Sequence, residues 1–342
     1  MADSSFSIDL GEKYTRIVDA QYKNKKFDLA VIGEGQSVSG FFSDDTDKTI
    51  ELQAEIISKL CRDLKVNKRA VNVVIPDTFC FSQIMEFSRL NQKELLSAVK
   101  YQADQFIPLP IDQVVFDLEV LNENVTTKKN IILIIASPKR IVERVEKVIE
   151  FAGLIPESLE SELSAIVRYF STAALYSEAQ PSSYLVVNFG YSTTSLYLVG
   201  MPGGIITELR SVKTGFDLFV KELKFNLELP DNKALELLSQ IGFEKNATYD
   251  LSTYAGPLLR DLMSEIGKFV ILAQEKHGLP VKKVFLCNHD NAVRALDTKI
   301  SELLGLPVES LLLRDVLVNN PISQSYSTKM SSFVAALSAT NR

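Results

Sequence analysis

Histidine is nearly absent from this chain: His277 and His289 are the only two in 342 residues. A zinc site or a His-based catalytic pair therefore has little material to work with. Cysteine is scarce too. Cys61, Cys80 and Cys287 are far apart, odd in number and set among apolar residues. That reads as buried reduced thiols rather than a disulfide framework or a metal cluster. Long apolar runs are missing; the stretch Ile131 to Ala136 has the length of a buried strand, not of a membrane span. The first residues, Asp3, Ser4 and Ser5, are polar where a signal segment would be apolar. A cytoplasmic protein is expected, with no direct membrane insertion. A cationic surplus is lacking as well: 37 Lys and Arg face 43 Asp and Glu, for a net charge of -6. General nucleic-acid binding is thereby disfavoured, since phosphate neutralisation needs clustered cations. The short basic runs at 23–26 and 128–129 fall where turns are expected and read as solvated tips.

What is present is apolar surface for a large core, with 46% hydrophobic residues. The length favours more than one domain. Strand-like stretches run from Phe6 to Gly11, Tyr14 to Ala20 and Lys26 to Ile32. A helix is expected over Asp47–Lys65, with Ile50, Ile56, Ile57 and Leu60 on one face, and a strand over Ala70–Ile75. A small unit follows, from Thr78 to Gly153. Asn91 and Glu94 form a capping-box pattern before a helix that Pro108 and Pro110 stop. Strands are expected over Val114–Leu121 and Ile131–Ala136, joined by a polar turn at 122–129, then a helix from Pro138 to Gly153. Another helix is expected near 159–174, and a polar link over 177–183.

After the link the opening theme returns. Val187-Asn188-Phe189-Gly190 ends a strand as Ile8-Asp9-Leu10-Gly11 does, and each is followed by a hairpin return. Two similar halves are implied. A tight hairpin with an acidic residue and Gly at a strand end presents backbone N–H groups to a phosphate. The acid can hold Mg²⁺ through water. One such motif is usually a plain turn; two at the heads of similar halves point to a nucleotide.

Several stretches carry a more specific likeness. They are Asn72-Val73-Val74-Ile75-Pro76, Tyr101-Gln102-Ala103-Asp104-Gln105-Phe106-Ile107-Pro108-Leu109-Pro110, Val115 to Leu121, Leu159-Glu160-Ser161-Glu162, and Leu304 to Glu309. In these the chain resembles the PilM family of actin-like ATPases over nearly its whole length. The resemblance implies an α/β fold of the actin-like ATPase type: two similar ribonuclease-H-like halves around a nucleotide cleft, with a small α+β insert. It implies a first domain over 1–76, completed by 156–180 and 325–342. The insert is expected over 77–155 and the second domain over 181–324. It also implies an ATP and Mg²⁺ site. Asp9, Gly11 and Lys13 fall on the first phosphate loop, with Asp9 toward the metal. Asn188, Gly190, Ser192 and Thr193 fall on the second. Gly215 lies where glycines approach the base and ribose. Glu265 and Lys268 lie on the helix beside the purine, and Leu286 to Asn291, including Asn288, on the adenosine loop.

The chain departs from this family in three loops. Asn188 stands where Asp is usual and brings no charge for Mg²⁺. Glu12, Lys13 and Tyr14 stand where small residues are usual. Leu286 to Asn291 replaces a run of glycines with side chains that would fill the pocket. A weakened or lost nucleotide site is the expectation; the alternative is that Asp9 alone suffices. Glu160 and Glu162 either position an attacking water, with Glu162 the candidate, or are favourable charges at a helix start. Met330, Phe333, Val334 and Leu337 form a stripe expected in the core rather than on a membrane. Most Phe and Tyr residues likewise read as core rather than stacking platforms.

Three functions follow from the resemblance. The first is a type IV pilus assembly scaffold that docks the cytoplasmic N-terminal peptide of a PilN-like inner-membrane protein. It would sit at the cytoplasmic face of that membrane, with other inner-membrane and motor components of the pilus as further partners. The second is an ATP-hydrolysing or ATP-gated switch. The third, a sugar kinase on the same fold, is disfavoured by the insert.

Overall fold

The computed structural model describes residues 5–342 except 45, 89, 104, 125–128, 173–180, 202, 246–249, 312, 314 and 315, and not the side chains of 92, 123 and 124. Asp104, the centre of the 122–129 turn and the first part of the 177–183 link thus lie outside the described residues. In chain order the first elements are β1 (Phe6–Leu10), β2 (Tyr14–Lys23), β3 (Lys26–Gln36), α1 (Asp47–Asp63) and β4 (Ala70–Ile75). Next come β5 (Phe81–Ser88), α2 (Gln92–Ala103), β6 (Val114–Asn124), β7 (Lys129–Pro138), α3 (Lys139–Phe151), β8 (Ile155–Ser161) and α4 (Glu162–Thr172). The remainder holds β9 (Ser182–Phe189), β10 (Thr194–Met201), β11 (Ile205–Val212), α5 (Phe216–Leu227), α6 (Asp231–Gln240), α7 (Ser252–His277), β12 (Val281–Asn288), α8 (Leu296–Leu304), β13 (Val308–Ser310), α9 (Pro321–Ser325) and α10 (Val334–Ala339).

Two five-stranded sheets repeat one plan. Their orders are β3-β2-β1-β4-β8 and β11-β10-β9-β12-β13. In each, the first two strands are antiparallel, and the fourth and fifth add in parallel on the other side of the first. The central strands β1 and β9 are buried along their whole length, as strands covered on both faces must be. The β2–β3 return is tight because Asn24 and Lys25 both take positive φ, 51° and 62°, the geometry that matches strand twist. Gly203 and Gly204 make the β10–β11 turn with φ of 107° and 67°.

The chain divides into two compact units. One comprises Met1–Gln21, Ala30–Ile166 and Ala335–Arg342; the other comprises Tyr22–Leu29 and Val167–Val334. Residues 167–172 and 325–334, assigned to the first half on sequence, pack with the second unit. In the first unit Ile50, Ala54 and Ile57 of α1 and Ile141, Val145, Val148 and Ile149 of α3 share one core with Phe6, Ile8, Leu10, Val71 and Val73. α3 follows the insert in sequence but packs on the first sheet. Ser7 Oγ and Asn72 Nδ2 donate to the Ala336 and Ala339 carbonyls, tying α10 to this unit. The terminal stripe is core: Met330, Phe333, Val334 and Leu337 are all buried.

The insert is the antiparallel sheet β5-β7-β6. α2 packs on it through Val99, with Phe87, Ile132 and Ile134 beneath. Its capping box is formed: Asn91 N donates to Glu94 Oε2, and Glu94 N to Asn91 Oδ1, both at 3.0 Å. One expectation is corrected. The stretch 155–161 was expected partly as helix, but it is strand β8, paired in parallel with β4. The helix starts only at Glu162. Ladder pairing with a strand some eighty residues earlier overrides the local helical pattern.

Candidate functional site

The first hairpin turns at Gly11, whose N–H donates to the Tyr14 carbonyl at 3.1 Å. A Cβ on Gly11 would stand 2.6 Å from that same oxygen, so crowding, not positive φ, demands glycine. A chain of side chains braces the turn. Ser37 Oγ donates to the Gly11 carbonyl at 2.7 Å and lies 2.9 Å from Thr15 Oγ1, to which Gln53 Nε2 also donates.

The register of β1 and β2 sets Asp9 opposite Arg16. Asp9 is 1% and Arg16 3% exposed, and their Oδ2 and Nη1 lie 3.1 Å apart. Glu34 Oε2 is 3.6 Å from Arg16 Nε. Asp9 Oδ1 is buried and bonds to nothing. Burial pushes the Asp9 carboxyl above its ordinary range, and Arg16 works against that shift. Arg16 is a functional candidate the sequence reading missed. The signal was available: a lone cation inside an apolar strand, set opposite Asp9 once the hairpin turn at Gly11 is placed. Lys13 is half-buried. Glu12 accepts from Thr78 Oγ1 at 3.3 Å, so this carboxylate has a partner of its own.

The second hairpin uses the same device. A Cβ on Gly190 would lie 2.6 Å from the Thr193 carbonyl oxygen, as on Gly11 against Tyr14. α5 then docks end-on. Phe216 N and Asp217 N donate to the Gly190 and Tyr191 carbonyls at 3.0 and 2.9 Å. Two N–H groups that a helix start normally leaves unpaired are therefore used inside the fold. The approach is so close that a Cβ on Gly215 would sit 2.2 Å from the Tyr191 oxygen, with Ser192 and Thr193 backbone also in the way. Thr194 Oγ1 donates to the Thr214 carbonyl at 2.6 Å and secures the junction.

Asn188 is the last residue but one of β9 and is buried. Its Nδ2 donates to the Tyr197 hydroxyl at 3.3 Å, and its Oδ1 accepts from Asn288 Nδ2 at 3.1 Å. The loop 286–291 is tied to its surroundings at Asn288, Asp290 and Asn291. Ser332 Oγ donates to the Asn288 carbonyl at 2.6 Å. Asp290 accepts from Ser310 and Ser331 at 2.6 and 2.9 Å, and Asn291 Nδ2 donates to Ser331 at 2.8 Å. The His289 ring stacks on Phe216, with centroids 5.3 Å apart. Burial raises the Asp290 carboxyl, with the two serine hydroxyls opposing.

Glu265 and Lys268 pair with each other at 2.8 Å, and Arg210 lies 3.4 Å from Glu265. This holds the Glu265 carboxyl below its usual range, Lys268 first. Glu162 is buried and accepts from Asp77 N at 3.3 Å, while Asp77 Oδ1 accepts from Leu163 N at 2.9 Å. This reciprocal tie joins the start of α4 to the residues that follow β4.

A hydrated divalent cation and a triphosphate need carboxylate oxygen, open N–H groups and room. The first hairpin fits in part: Asp9 Oδ1 is without a donor, beside a buried guanidinium. The second does not fit, because Asn188 is neutral and both ends of its carboxamide are bonded. Among the described residues no group of three or more His, Cys, Asp and Glu stands ready to hold a metal. The three cysteines form no disulfide, and burial lifts the Cys61 thiol to about 11.

Comparison with known proteins agrees with this architecture. The chain is similar to a solved structure described as the PilM–PilN type IV pilus biogenesis complex, with a TM-score of 0.86 and 19% identity over 99% of this chain and 98% of that one. It is also similar to the ethanolamine utilization protein EutJ from Carboxydothermus hydrogenoformans, with a TM-score of 0.50 and 15% identity over 98% and 88%. MreB 5 of Spiroplasma citri bound to AMPPNP gives 0.50 and 14% over 99% and 95%. The fold is that of the actin-like ATPases, as the resemblance implied. A family model described as type IV pilus assembly protein PilM matches residues 7–336, and the chain therefore belongs to the PilM family of type IV pilus assembly proteins.

Proposed function

We propose that this chain is a scaffold of type IV pilus assembly that captures the cytoplasmic N-terminal peptide of a PilN-like inner-membrane protein. The observation that carries the reading is the match of almost the whole chain, insert included, to the structure described as a PilM–PilN complex. Capture of an extended peptide calls for apolar pockets and backbone pairing, not catalytic side chains. The partner would hold the chain at the cytoplasmic face of the inner membrane, within reach of other inner-membrane and motor components. No helix among the described residues is long and apolar enough to cross a membrane. The domain layout of the reading is 1–76 with 156–180 and 325–342, then 77–155, then 181–324, amended in that 167–172 and 325–334 go with the second unit. Titration calorimetry with a synthetic N-terminal peptide of the PilN-like partner tests the proposal. Saturable micromolar binding is expected, and silence at high micromolar peptide overturns it.

In the same reading the nucleotide site is weakened. Asp9, Gly11, Lys13 and Arg16 would meet phosphates from the first hairpin. Asn188, Gly190, Ser192 and Thr193 would do so from the second hairpin, with Gly215 toward base and ribose and Glu265, Lys268 and Asn288 toward the nucleoside. The neutral, fully bonded Asn188 supports weakness. Glu162 serves as a brace to Asp77 rather than as a base. A second reading, an ATP-gated switch, draws on the unpartnered Asp9 Oδ1 beside Arg16. ATP with Mg²⁺ separates the two, since a ligand of the folded state must raise the unfolding midpoint. The weakened site predicts no shift.

A further inference from the structure

We propose that Asn288 is an internal ligand of the second hairpin, occupying the Asn188 acceptor on which a metal-bound nucleoside triphosphate would draw. The inference rests on the nucleotide-site reading above and names the residue that enforces it.

β9 and β12 are parallel neighbours, with Cys287 opposite Asn188 and Asn288 opposite Phe189. Their carboxyl ends therefore lie side by side, and in open α/β sheets that is where ligands bind. Here the two strand ends bind each other. Asn288 Nδ2 donates to Asn188 Oδ1 at 3.1 Å, and Cys287 Sγ makes a weak 3.8 Å contact with the same oxygen. The Tyr197 hydroxyl takes up the other end of the carboxamide.

The backbone at Asn288 is held in the left-handed region, with φ of 74°. Glycine adopts this conformation without strain, and asparagine is among the few other residues that tolerate it. Ser332 fixes the peptide from behind through the Asn288 carbonyl. The side chain is thus aimed at Asn188 by backbone geometry and anchored there.

One consequence separates this proposal from simple charge loss. A carboxylate placed at 188 would inherit the same donors. Asn288 Nδ2 would still point at it, and the Tyr197 hydroxyl would turn to donate. Its charge would be met from inside the fold, so charge and access must be restored together.

The test is titration calorimetry with ATP and Mg²⁺ on the full chain as wild type, Asn188→Asp, Asn288→Gly and Asn188→Asp with Asn288→Gly. Circular dichroism reports the unfolding midpoint of each. Asn288→Gly is expected to lower the midpoint only modestly, because glycine suits the backbone there while the bond to Asn188 Oδ1 is lost. Should it loosen the loop, Asn288→Ala removes the reaching carboxamide and serves the same arm. The double variant is expected to bind at least about tenfold tighter than either single variant. If Asn188→Asp alone binds as tightly as the double variant, the role given to Asn288 is overturned and charge loss alone explains the weak site. Binding by the wild type overturns the weakened-site reading itself. A folded double variant that stays silent overturns the proposal.

Discussion

Replacing Arg16 by methionine probes the first hairpin directly. Asp9 and Arg16 are 1% and 3% exposed, and Asp9 already has one oxygen without a donor. Methionine would leave both oxygens bare in the core and remove the guanidinium from Glu34 as well. Breaking a buried pair in this way costs about 3 to 5 kcal/mol. The lower end is expected, because Asp9 escapes by taking up a proton. The pH dependence fixes the sign. The Asp9 carboxyl is already raised above 3.8 in the folded state, and loss of Arg16 raises it further. A group of this kind favours the folded state fully below its unfolded value and loses that contribution as pH rises through its folded value. The deficit of Arg16→Met against the wild type is therefore largest at neutral pH and shrinks toward pH 4. Urea unfolding at pH 7 and in mild acid measures it. The signal must be circular dichroism, since the chain has no tryptophan. Adding Asp9→Asn to Arg16→Met is expected to recover much of the loss at pH 7. An equal deficit at both pH values, or a double variant as unstable as the single one, would refute the reasoning.

Two further substitutions test the second unit. Gly215→Ala would push a Cβ to 2.2 Å from the Tyr191 carbonyl oxygen, backbone against backbone with nothing flexible to yield. A loss of about 3 kcal/mol is expected, with faster amide exchange at 190–194, and unchanged exchange there would contradict the packing account. Asp290→Asn keeps an acceptor oxygen for one of Ser310 and Ser331 and turns an amide N–H toward the other hydroxyl, while removing a carboxylate whose range burial has raised. It is expected to stabilise by about 1 kcal/mol at neutral pH, with the gain fading in acid as the wild-type carboxyl takes up its proton. Destabilisation at neutral pH would show that the charge is needed.

Features written in neighbouring residues were legible in the sequence. Asn91 and Glu94 announced their capping box, Gly203 and Gly204 their turn, and the spacing of Met330, Phe333, Val334 and Leu337 a buried stripe. The two strand-end hairpins were visible because each compresses its signal into a few positions. Features that depend on which strand lies beside which were not. β8 was taken partly for helix because its partner β4 lies far back in the chain. Arg16 was passed over because its meaning appears only in register with Asp9. Asn188 was seen to lack a charge. Its bond to Asn288, one hundred residues away, follows from β9 lying beside β12, which no local pattern encodes.

Those same contacts bear on whether a scaffold needs its nucleotide. In a protein that bound ATP to become ordered, the phosphate hairpins would hold few bonds of their own. Here each is held by groups of its own unit. Gly11 is fixed through Ser37, Thr15 and Gln53. Gly190 and Tyr191 are fixed by the start of α5, and Thr194 by Thr214. Two of the N–H groups that α5 would otherwise turn toward an anion are spent on carbonyls, and the loop after β12 is closed by Ser310, Ser331 and Ser332. Losing the ligand would leave none of these bonds unmade. The proposed docking of a partner peptide can therefore persist without ATP, and peptide capture by the wild type should be the same with and without added ATP and Mg²⁺.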